Sequence, residues 1–208
     1  MKTGFGTPTA VALDSGASNA YFGTTSGSAA AIWQCSVVAG AQPCTSLSSF
    51  TSSQLASVAV DDSYVYWTDP GNGVVSRKSL TGGAASTLAG GQAHAGSLAV
   101  DAKNIYWTAA ESSKTVVRVM AKGATSFATL AGNAAGIASI ATDGAHLYFA
   151  TPDGLVESVP VSGGDGTKLF SIAGTQAGYA AITTLVYASG ALFWNDLVNS
   201  QIDGLRVP

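Results

Sequence analysis

The sequence predicts an all-β fold of the β-propeller class, with five sequence blades of four short antiparallel strands, the last blade being incomplete. The first observation is an aromatic pair that recurs at intervals of 45, 40, 42 and 45 residues. The second is that each pair follows a short apolar segment and precedes a tight turn. The third is that no segment shows a 3.6-residue hydrophobic period, which argues against helices. The pairs are Tyr21-Phe22, Tyr66-Trp67, Tyr106-Trp107, Tyr148-Phe149 and Phe193-Trp194.

Each repeat opens with a short apolar first strand, which ends in aspartate in four of the five copies. These segments are VALD (11–14), VAVD (58–61), LAVD (98–101), IATD (140–143) and LVYA (185–188). Aspartate before small or polar residues is typical of turns, because its side chain accepts hydrogen bonds from backbone amides. We therefore predict a repeated turn residue; the alternative is a ring of metal ligands or acids. Hydroxyl residues that just precede the first strands are predicted to bond to the backbone: Ser57, Ser97, Ser139 and Thr184.

The second strand of each repeat carries the aromatic pair, and a third strand and a short fourth strand follow. The third strands are AAIWQCSV, VVSRKSL, VVRVMA, LVESVPV and QIDGLRV, and the fourth strands are TSL (45–47), STLA (86–89), FATLA (127–131) and KLFSI (168–172). We assign the aromatic rings to packing between blades; the alternative is a stacking platform for sugars or bases. Units of this size cannot bury a core singly. We therefore predict one domain, 1–208, with repeats at about 10–48, 57–90, 97–132, 139–173 and 184–208.

The segment VYWTD at 65–69, followed by PGNGVVSRKSL, resembles the YWTD repeat of LDL-receptor-type propellers and of related bacterial repeat proteins. IYWTA at 105–109 is a near match, and the other three copies are degenerate. The resemblance implies a six-bladed propeller that is usually extracellular and usually a binding module. The sequence shows five copies, and so departs from the implied blade number.

The two ends of the sequence predict a weak closure of the ring. The fifth repeat, which ends at RVP (206–208), has no fourth strand after it. Residues 1–6 are the segment left to pair with 201–207, and so short a segment makes few hydrogen bonds. An unpaired strand edge favours pairing with another chain. We therefore expect the last blade to be poorly ordered or completed by a partner, with self-association through it.

Charged residues make up 10% of the chain and the net charge is −3, whereas globular proteins average about 25% charged residues. The nine lysines and arginines form no run, so neither nucleic acid nor an anionic membrane surface is an expected partner. No apolar stretch approaches the roughly 18 residues of a membrane helix, and no membrane insertion is expected. The N-terminal MKTGFGTPT lacks the apolar core of a signal peptide. This fits a cytoplasmic protein or one whose signal has been removed.

Cys35 and Cys44 flank a turn-like segment and predict a disulfide between the third and fourth strands of the first repeat. Their spacing is not that of a CxxC redox site, and no further ligands suggest zinc. The alternative is a pair of buried thiols. A disulfide is typical of an oxidising compartment. It therefore favours an exported, bacterial-type protein that is secreted, periplasmic or at the cell surface.

The connections from each fourth strand to the next first strand carry the candidate ligand-binding residues. In a propeller these loops gather around the mouth of the channel, the usual ligand site. A set of amides with one histidine and one tyrosine can hydrogen-bond a small polar molecule, a glycan or a peptide; the alternative is that they are solvated loop residues. The candidates are Gln54, Gln92, His94, Asn133, Gln176 and Tyr179. The second histidine, His146, is interpreted as a surface turn residue.

These patterns favour a non-catalytic, extracytoplasmic binding or scaffold propeller with a polar face at the channel mouth. No nucleophile elbow, phosphate loop, metal signature or paired-acid motif occurs in the sequence, so we predict no catalytic residue, metal or cofactor. The first alternative is a propeller-type lyase or metal-dependent lactonase, which needs acids converging on the channel. Glu111 and Asp153 lie in second-to-third turns, which we expect on the opposite rim. The second alternative is a repeat fragment of a larger propeller with no ligand of its own.

Overall fold

The computed structural model describes residues 5–38, 44–172 and 181–207, and every regular element among them is a β-strand. The all-β prediction is therefore confirmed. Within these ranges there is accordingly no helix of the length and apolarity needed to cross a membrane. The chain divides into two compact units, Met1–Val100 and Asp101–Pro208.

The first unit contains two antiparallel sheets of four strands, each formed from strands that are consecutive in the chain. The first sheet consists of β1 (Thr7–Leu13), β2 (Asn19–Ser26), β3 (Ala29–Ser36) and β4 (Thr45–Thr51). The second consists of β5 (Ser57–Val60), β6 (Tyr64–Asp69), β7 (Val74–Ser79) and β8 (Ser86–Ala89). A short strand, β9 (Leu98–Val100), ends this unit.

The second unit follows the same meander. Its strands are β10 (Asn104–Glu111), β11 (Lys114–Ala121) and β12 (Ala128–Asn133), then β13 (Ser139–Thr142), β14 (His146–Ala150), β15 (Leu155–Pro160) and β16 (Thr167–Ser171), and finally β17 (Leu185–Ala188), β18 (Ala191–Asp196) and β19 (Gln201–Arg206). The last sheet holds β17, β18 and β19 alone. The prediction of an incomplete last blade is thus confirmed for the described part of the chain.

Aromatic side chains join neighbouring sheets within each unit. In the first unit, Trp67 of β6 stacks on Phe50 of β4, with ring centroids 5.6 Å apart. In the second unit, Trp194 of β18 packs on Phe170 of β16 at 4.9 Å. The fourth-strand aromatic of one sheet therefore meets the second-strand tryptophan of the next. Of the eight aromatic-pair residues in the second to fifth repeats, seven are buried: Tyr66, Trp67, Tyr106, Trp107, Tyr148, Phe149 and Trp194. Phe193, at 43% exposure, is the exception.

Serine hydroxyls tie the first strands of neighbouring repeats together. The amide of Leu98 donates to Ser57 Oγ at 3.2 Å, and that of Leu185 donates to Ser139 Oγ at 3.0 Å. The predicted backbone role is confirmed for these two residues.

Cys35 and Cys44 form the predicted disulfide. Cys35 lies near the end of β3 and Cys44 directly precedes β4, so the bond joins the two ends of the β3–β4 connection.

The aspartate that ends the first strand is a turn residue in all four repeats that carry it. One carboxylate oxygen accepts two backbone N–H groups of the following turn, at distances between 2.6 and 3.1 Å. In three repeats the other oxygen accepts the hydroxyl of the second-strand tyrosine at 2.7 to 2.8 Å. These pairs are Asp61–Tyr66, Asp101–Tyr106 and Asp143–Tyr148. In the fifth repeat Ala188 and Phe193 replace both partners, which leaves neither a donor nor an acceptor unpaired.

We expect the three paired tyrosines to ionise only when the protein unfolds in alkali. Burial raises the pKa of Tyr66, Tyr106 and Tyr148, and the carboxylate that accepts each hydroxyl raises the pKa further. The folded state therefore holds these protons more tightly than the unfolded chain, in which the pKa of tyrosine is about 10. The stability they contribute is fully present below about pH 10 and is lost as the pH rises above it. Spectrophotometric titration should show a tyrosinate step that coincides with loss of the β-sheet circular dichroism.

The variant Tyr106→Phe provides the control for this titration. It should lower by one tyrosine the absorbance step that accompanies unfolding. It should not change the absorbance step at lower pH, in which other tyrosines ionise while the protein is folded. If the earlier change diminishes instead, Tyr106 ionises in the folded state and its bond to Asp101 gives no protection.

Candidate functional site

In both units the turn between the second and third strands lies beside the connection that leaves a fourth strand. In the first unit the amide of Gln92, after β8, donates to the carbonyl of Gly73, before β7, at 2.8 Å. In the second unit the amide of Ala181 donates to the carbonyl of Pro152, in the β14–β15 turn, at 2.6 Å. Antiparallel strands reverse direction at each step, so turns two strands apart share one end of a sheet.

The prediction that the second-to-third turns lie on the opposite rim from the candidate loops is therefore wrong. Glu111 and Asp153 belong to the same rim as the loops of their unit. Both carboxylates already have partners, since Glu111 lies 3.6 Å from Arg118 and Asp153 accepts the hydroxyl of Thr151. Each carboxylate therefore makes a local polar contact, and these contacts do not make the two an acid pair.

The rim of the first unit is built around Asp69, the last residue of the VYWTD segment. Asp69 is only 1% exposed, yet its carboxylate is well satisfied. Oδ1 accepts the hydroxyl of Ser52 at 2.7 Å and the amide N–H of Asn72 at 3.0 Å, and Oδ2 accepts the Asn72 side-chain amide at 2.7 Å. Asn72 also donates to the carbonyl of Thr51 at 2.8 Å. A buried carboxylate thus fixes the turn 69–73 to the loop that follows β4.

Two glycines allow this turn to lie between the loops. A Cβ on Gly71 would lie 2.9 Å from Ser52 Oγ and 3.6 Å from Cβ of Gln54. Gly73 has a φ of +63°, and a Cβ there would lie 3.5 Å from the carbonyl oxygen of Gln92. The turn therefore touches the loop after β4 on one side and the loop after β8 on the other. We call these three segments, residues 52–56, 69–73 and 90–97, the loop rim.

The loop rim brings together three of the predicted ligand-binding residues, in two different roles. Gln54 and His94 are exposed. Gln92 is 4% exposed, and its side-chain amide donates to the carbonyl of Gly90 at 2.8 Å, which shapes the loop from within. His94 has a φ of +51°, a left-handed conformation that holds its side chain on a tight turn.

In the second unit Asn133 is half-buried, and its side-chain oxygen accepts the amide of Ala135 at 2.8 Å. Gln176 and Tyr179 lie outside the described residues. The role of all six predicted ligand-binding residues stays a prediction.

A polar groove of about 370 Å³ lies next to the loop rim in the first unit. Asp69 and Asn72 belong to both, so the groove and the rim are continuous. The remaining lining is rich in hydroxyl groups: Ser48, Ser49, Ser76, Ser86 and Thr87. Sequence reasoning missed both this groove and the role of Asn72. The signal was present in the turn DPGN, whose Asp and Asn stand three apart, as Asp196 and Asn199 do in the last repeat.

The chemistry available at this site is hydrogen bonding. Among the described residues no three His, Cys, Asp or Glu side chains are grouped so that they could hold a metal ion. The carboxylate of Asp69 is buried and already accepts three hydrogen bonds. The groups that face solvent are the side chains of Gln54, Asn72 and His94 and the hydroxyls of Ser48, Ser49, Ser86 and Thr87. Such groups suit recognition of a polar ligand on a firmly held surface.

Comparison with known proteins gives structural matches alone. No protein-family model matches the sequence, and no curated protein matches it. A crystal structure of a nidogen/laminin complex is similar over 96% of this chain and 75% of that chain, with a TM-score of 0.78 and 17% identity. The computationally designed Ika8 protein is similar over 96% of this chain and 58% of its own, with a TM-score of 0.66 and 17% identity. The designed Ika4 protein is similar over 81% of this chain and 99% of its own, with a TM-score of 0.60 and 16% identity.

At this level of identity the similarity shows the fold. The chain is an all-β protein of the β-propeller class, as the repeats predict.

Proposed function

We propose that this chain is a non-catalytic binding propeller whose loop rim and adjoining groove hold a polar ligand. The observation that carries the proposal is the buried Asp69 carboxylate, which locks the turn 69–73 between two loops while amide, imidazole and hydroxyl groups remain at the surface. A surface fixed in this way loses little entropy when it binds. The groove volume of about 370 Å³ falls in the range of ligand sites, roughly 300 to 1,000 Å³.

The ligand classes that fit are a glycan, a peptide or a small polar molecule, because each presents donors and acceptors to match these groups. The similarity to a chain of a nidogen/laminin complex supports a binding role, since that structure is of a protein complex. The disulfide supports an extracytoplasmic location, secreted, periplasmic or at the cell surface. We also infer that the chain is a YWTD-type propeller forming one domain over residues 1–208, on the strength of VYWTD at 65–69 and the repeat period.

Arrays of glycans and of peptides, probed with the intact protein, test the proposal. We expect at least one ligand whose binding falls at least about tenfold, or roughly 1.4 kcal/mol, in Gln54→Ala or His94→Gly. Glycine at position 94 removes the imidazole and accepts the left-handed backbone conformation without strain. His146→Gln is the matched control, because His146 is the first residue of β14, directly after the first-to-second turn, at the other end of its sheet. Binding that survives both rim substitutions, no binding on either array, or ligand turnover would each contradict the proposal.

A further inference from the structure

The groove beside the loop rim lies where the second repeat has a small residue and the other repeats have larger ones. In each repeat, one third-strand residue stands directly opposite the second residue of the aromatic pair, and side chains opposed in this way share a face of the sheet. These third-strand residues are Trp33, Ser76, Arg118, Glu157 and Asp203. Ser76 is the smallest of the five, and it lines the groove together with Trp67, the residue it faces.

The third repeat shows which side chains fit this place on a sheet. The guanidinium of Arg118 lies 5.4 Å from the centre of the Phe127 ring, which packs edge-on against Trp107. Arg118 also donates a hydrogen bond to the hydroxyl of Thr129 and lies 3.6 Å from the carboxylate of Glu111. The face beside this tryptophan therefore holds a guanidinium among an aromatic ring, a hydroxyl and a carboxylate.

The second repeat has the same surroundings without the arginine. Thr87 stands opposite Ser76 as Thr129 stands opposite Arg118, and the side chain of Thr87 is exposed. Ala85, two residues before Thr87, takes the place of the phenylalanine of the third repeat. Thr87 and Ala85 both line the groove. The space that arginine and phenylalanine occupy in the third repeat is thus left to solvent in the second, with a hydroxyl acceptor beside it.

The carboxylate of Asp69 gives this groove a negative charge that no cation compensates. Asp69 lines the groove at 1% exposure, and the groups that donate to it, from Ser52 and Asn72, are neutral. No lysine, arginine or histidine lines the groove, and within the described ranges none forms an ion pair with Asp69. A buried charge is favoured by a partner of opposite sign. Because salt screens buried pairs much less than exposed ones, a cation in the groove would be attracted to this carboxylate.

We propose that this groove binds the arginine side chain of a peptide, whose guanidinium takes the place that Arg118 occupies in the third repeat. The bound guanidinium donates to the hydroxyl of Thr87 and supplies the positive charge that Asp69 lacks. Arginine suits the site better than lysine, because its planar group packs on aromatic rings while it donates several hydrogen bonds. The inference rests on the proposed function, since it names the ligand of the same site.

Two peptides test the charge of the ligand. The probe is a fluorescein-labelled Gly-Ser-Gly-Arg-Gly-Ser-Gly peptide, and the control has citrulline in place of arginine. Citrulline has nearly the same shape as arginine but carries no charge. We expect saturable binding of the arginine peptide to the intact protein by fluorescence anisotropy, and binding of the citrulline peptide that is at least about tenfold weaker.

Two protein variants locate the bound arginine. Thr87→Val removes the hydroxyl acceptor at an exposed position and should weaken binding of the arginine peptide by about tenfold. Ser76→Arg fills the groove from within the chain, as in the third repeat, and should weaken binding by at least about tenfold. Glu157→Arg is the matched control, because it adds arginine at the equivalent position of the fourth repeat, and it should leave binding unchanged. Circular dichroism checks that each variant is folded, and Thr87→Val decides if Ser76→Arg is not.

The outcomes separate this inference from the proposed function. Equal binding of the two peptides, or binding of the arginine peptide that survives every folded groove variant, would overturn the inference. If the arginine peptide does not bind but an array ligand binds through Gln54 or His94, the inference is wrong and the proposed function stands. If no ligand of any class binds, both are wrong.

Discussion

Replacing Trp107 by alanine should lower the free energy of unfolding by about 3–5 kcal/mol, the range for deletion of a fully buried large aromatic side chain. Trp107 is 0% exposed, and Phe127 packs edge-on against it at 5.4 Å. The loss combines the transfer of the indole from water with a cavity that the stiff sheet cannot close. Urea denaturation followed by circular dichroism measures the change.

Phe193→Ala is the control for this measurement, because Phe193 also belongs to one of the repeated aromatic pairs but is 43% exposed. We expect it to cost about 1 kcal/mol, near the usual loss for a point substitution. Similar losses for the two variants would show that the pairs contribute through local strand propensity rather than through burial.

Asp69→Ala should cost about 3–5 kcal/mol, because it removes three hydrogen bonds to a buried carboxylate and leaves the buried Ser52 hydroxyl without its carboxylate acceptor. The carboxylate takes hydrogen bonds from the Ser52 hydroxyl and from both nitrogens of Asn72. A hydrogen bond to a charged group contributes about 1.5–3 kcal/mol, and an orphaned buried donor costs about 1–3 kcal/mol. Thermal melting measures the stability. If the variant that remains folded no longer binds ligand, the turn 69–73 is no longer held against the loop after β4.

Asp196→Ala is the matched control, since Asp196 accepts the same two hydrogen bonds from Asn199 and stands in the equivalent turn. Among the described residues no serine of a preceding loop donates a hydrogen bond to Asp196, so the loss of stability should be smaller than at Asp69. Burial works against ionisation of Asp196, but the amide donors of Asn199 outweigh it and lower its pKa. Its contribution is therefore present above the pKa of an unfolded aspartate, about 3.9, and is lost as the pH falls below it. Equal losses at positions 69 and 196 would mean that Ser52 adds nothing to the rim.

The strands and the core could be predicted from the sequence because they depend on patterns that repeat. The aromatic pairs, the turn aspartates and the two cysteines each signal a local preference that the neighbouring sheets then reinforce. Phe193 shows the limit of this reasoning. Its place in the repeat predicts burial, but burial also needs a covering element, and the pattern of one strand does not say whether that element is there.

The candidate site was less accessible to sequence reasoning, for two physical reasons. Which loops share a rim depends on strand direction along the whole meander, and that is why Glu111 and Asp153 were expected at the wrong end. Whether a polar side chain faces solvent or folds back on its own loop depends on a few dihedral angles. Gln54 and Gln92 look alike in sequence, yet Gln54 is exposed while Gln92 is buried against Gly90.

The meander of consecutive strands has a consequence for the order of folding. Every paired strand is next to its partner in the chain, so each sheet can form from hairpins that close short loops at low entropic cost. The serine hydroxyls connect residues much further apart, since Leu98 lies 41 positions after Ser57 and Leu185 lies 46 positions after Ser139. Bonds that span a whole repeat form after the hairpins on either side of them. Folding should therefore spread from one repeat to the next, as it does in arrays of nearest-neighbour units, with these two serines among the late contacts that couple them.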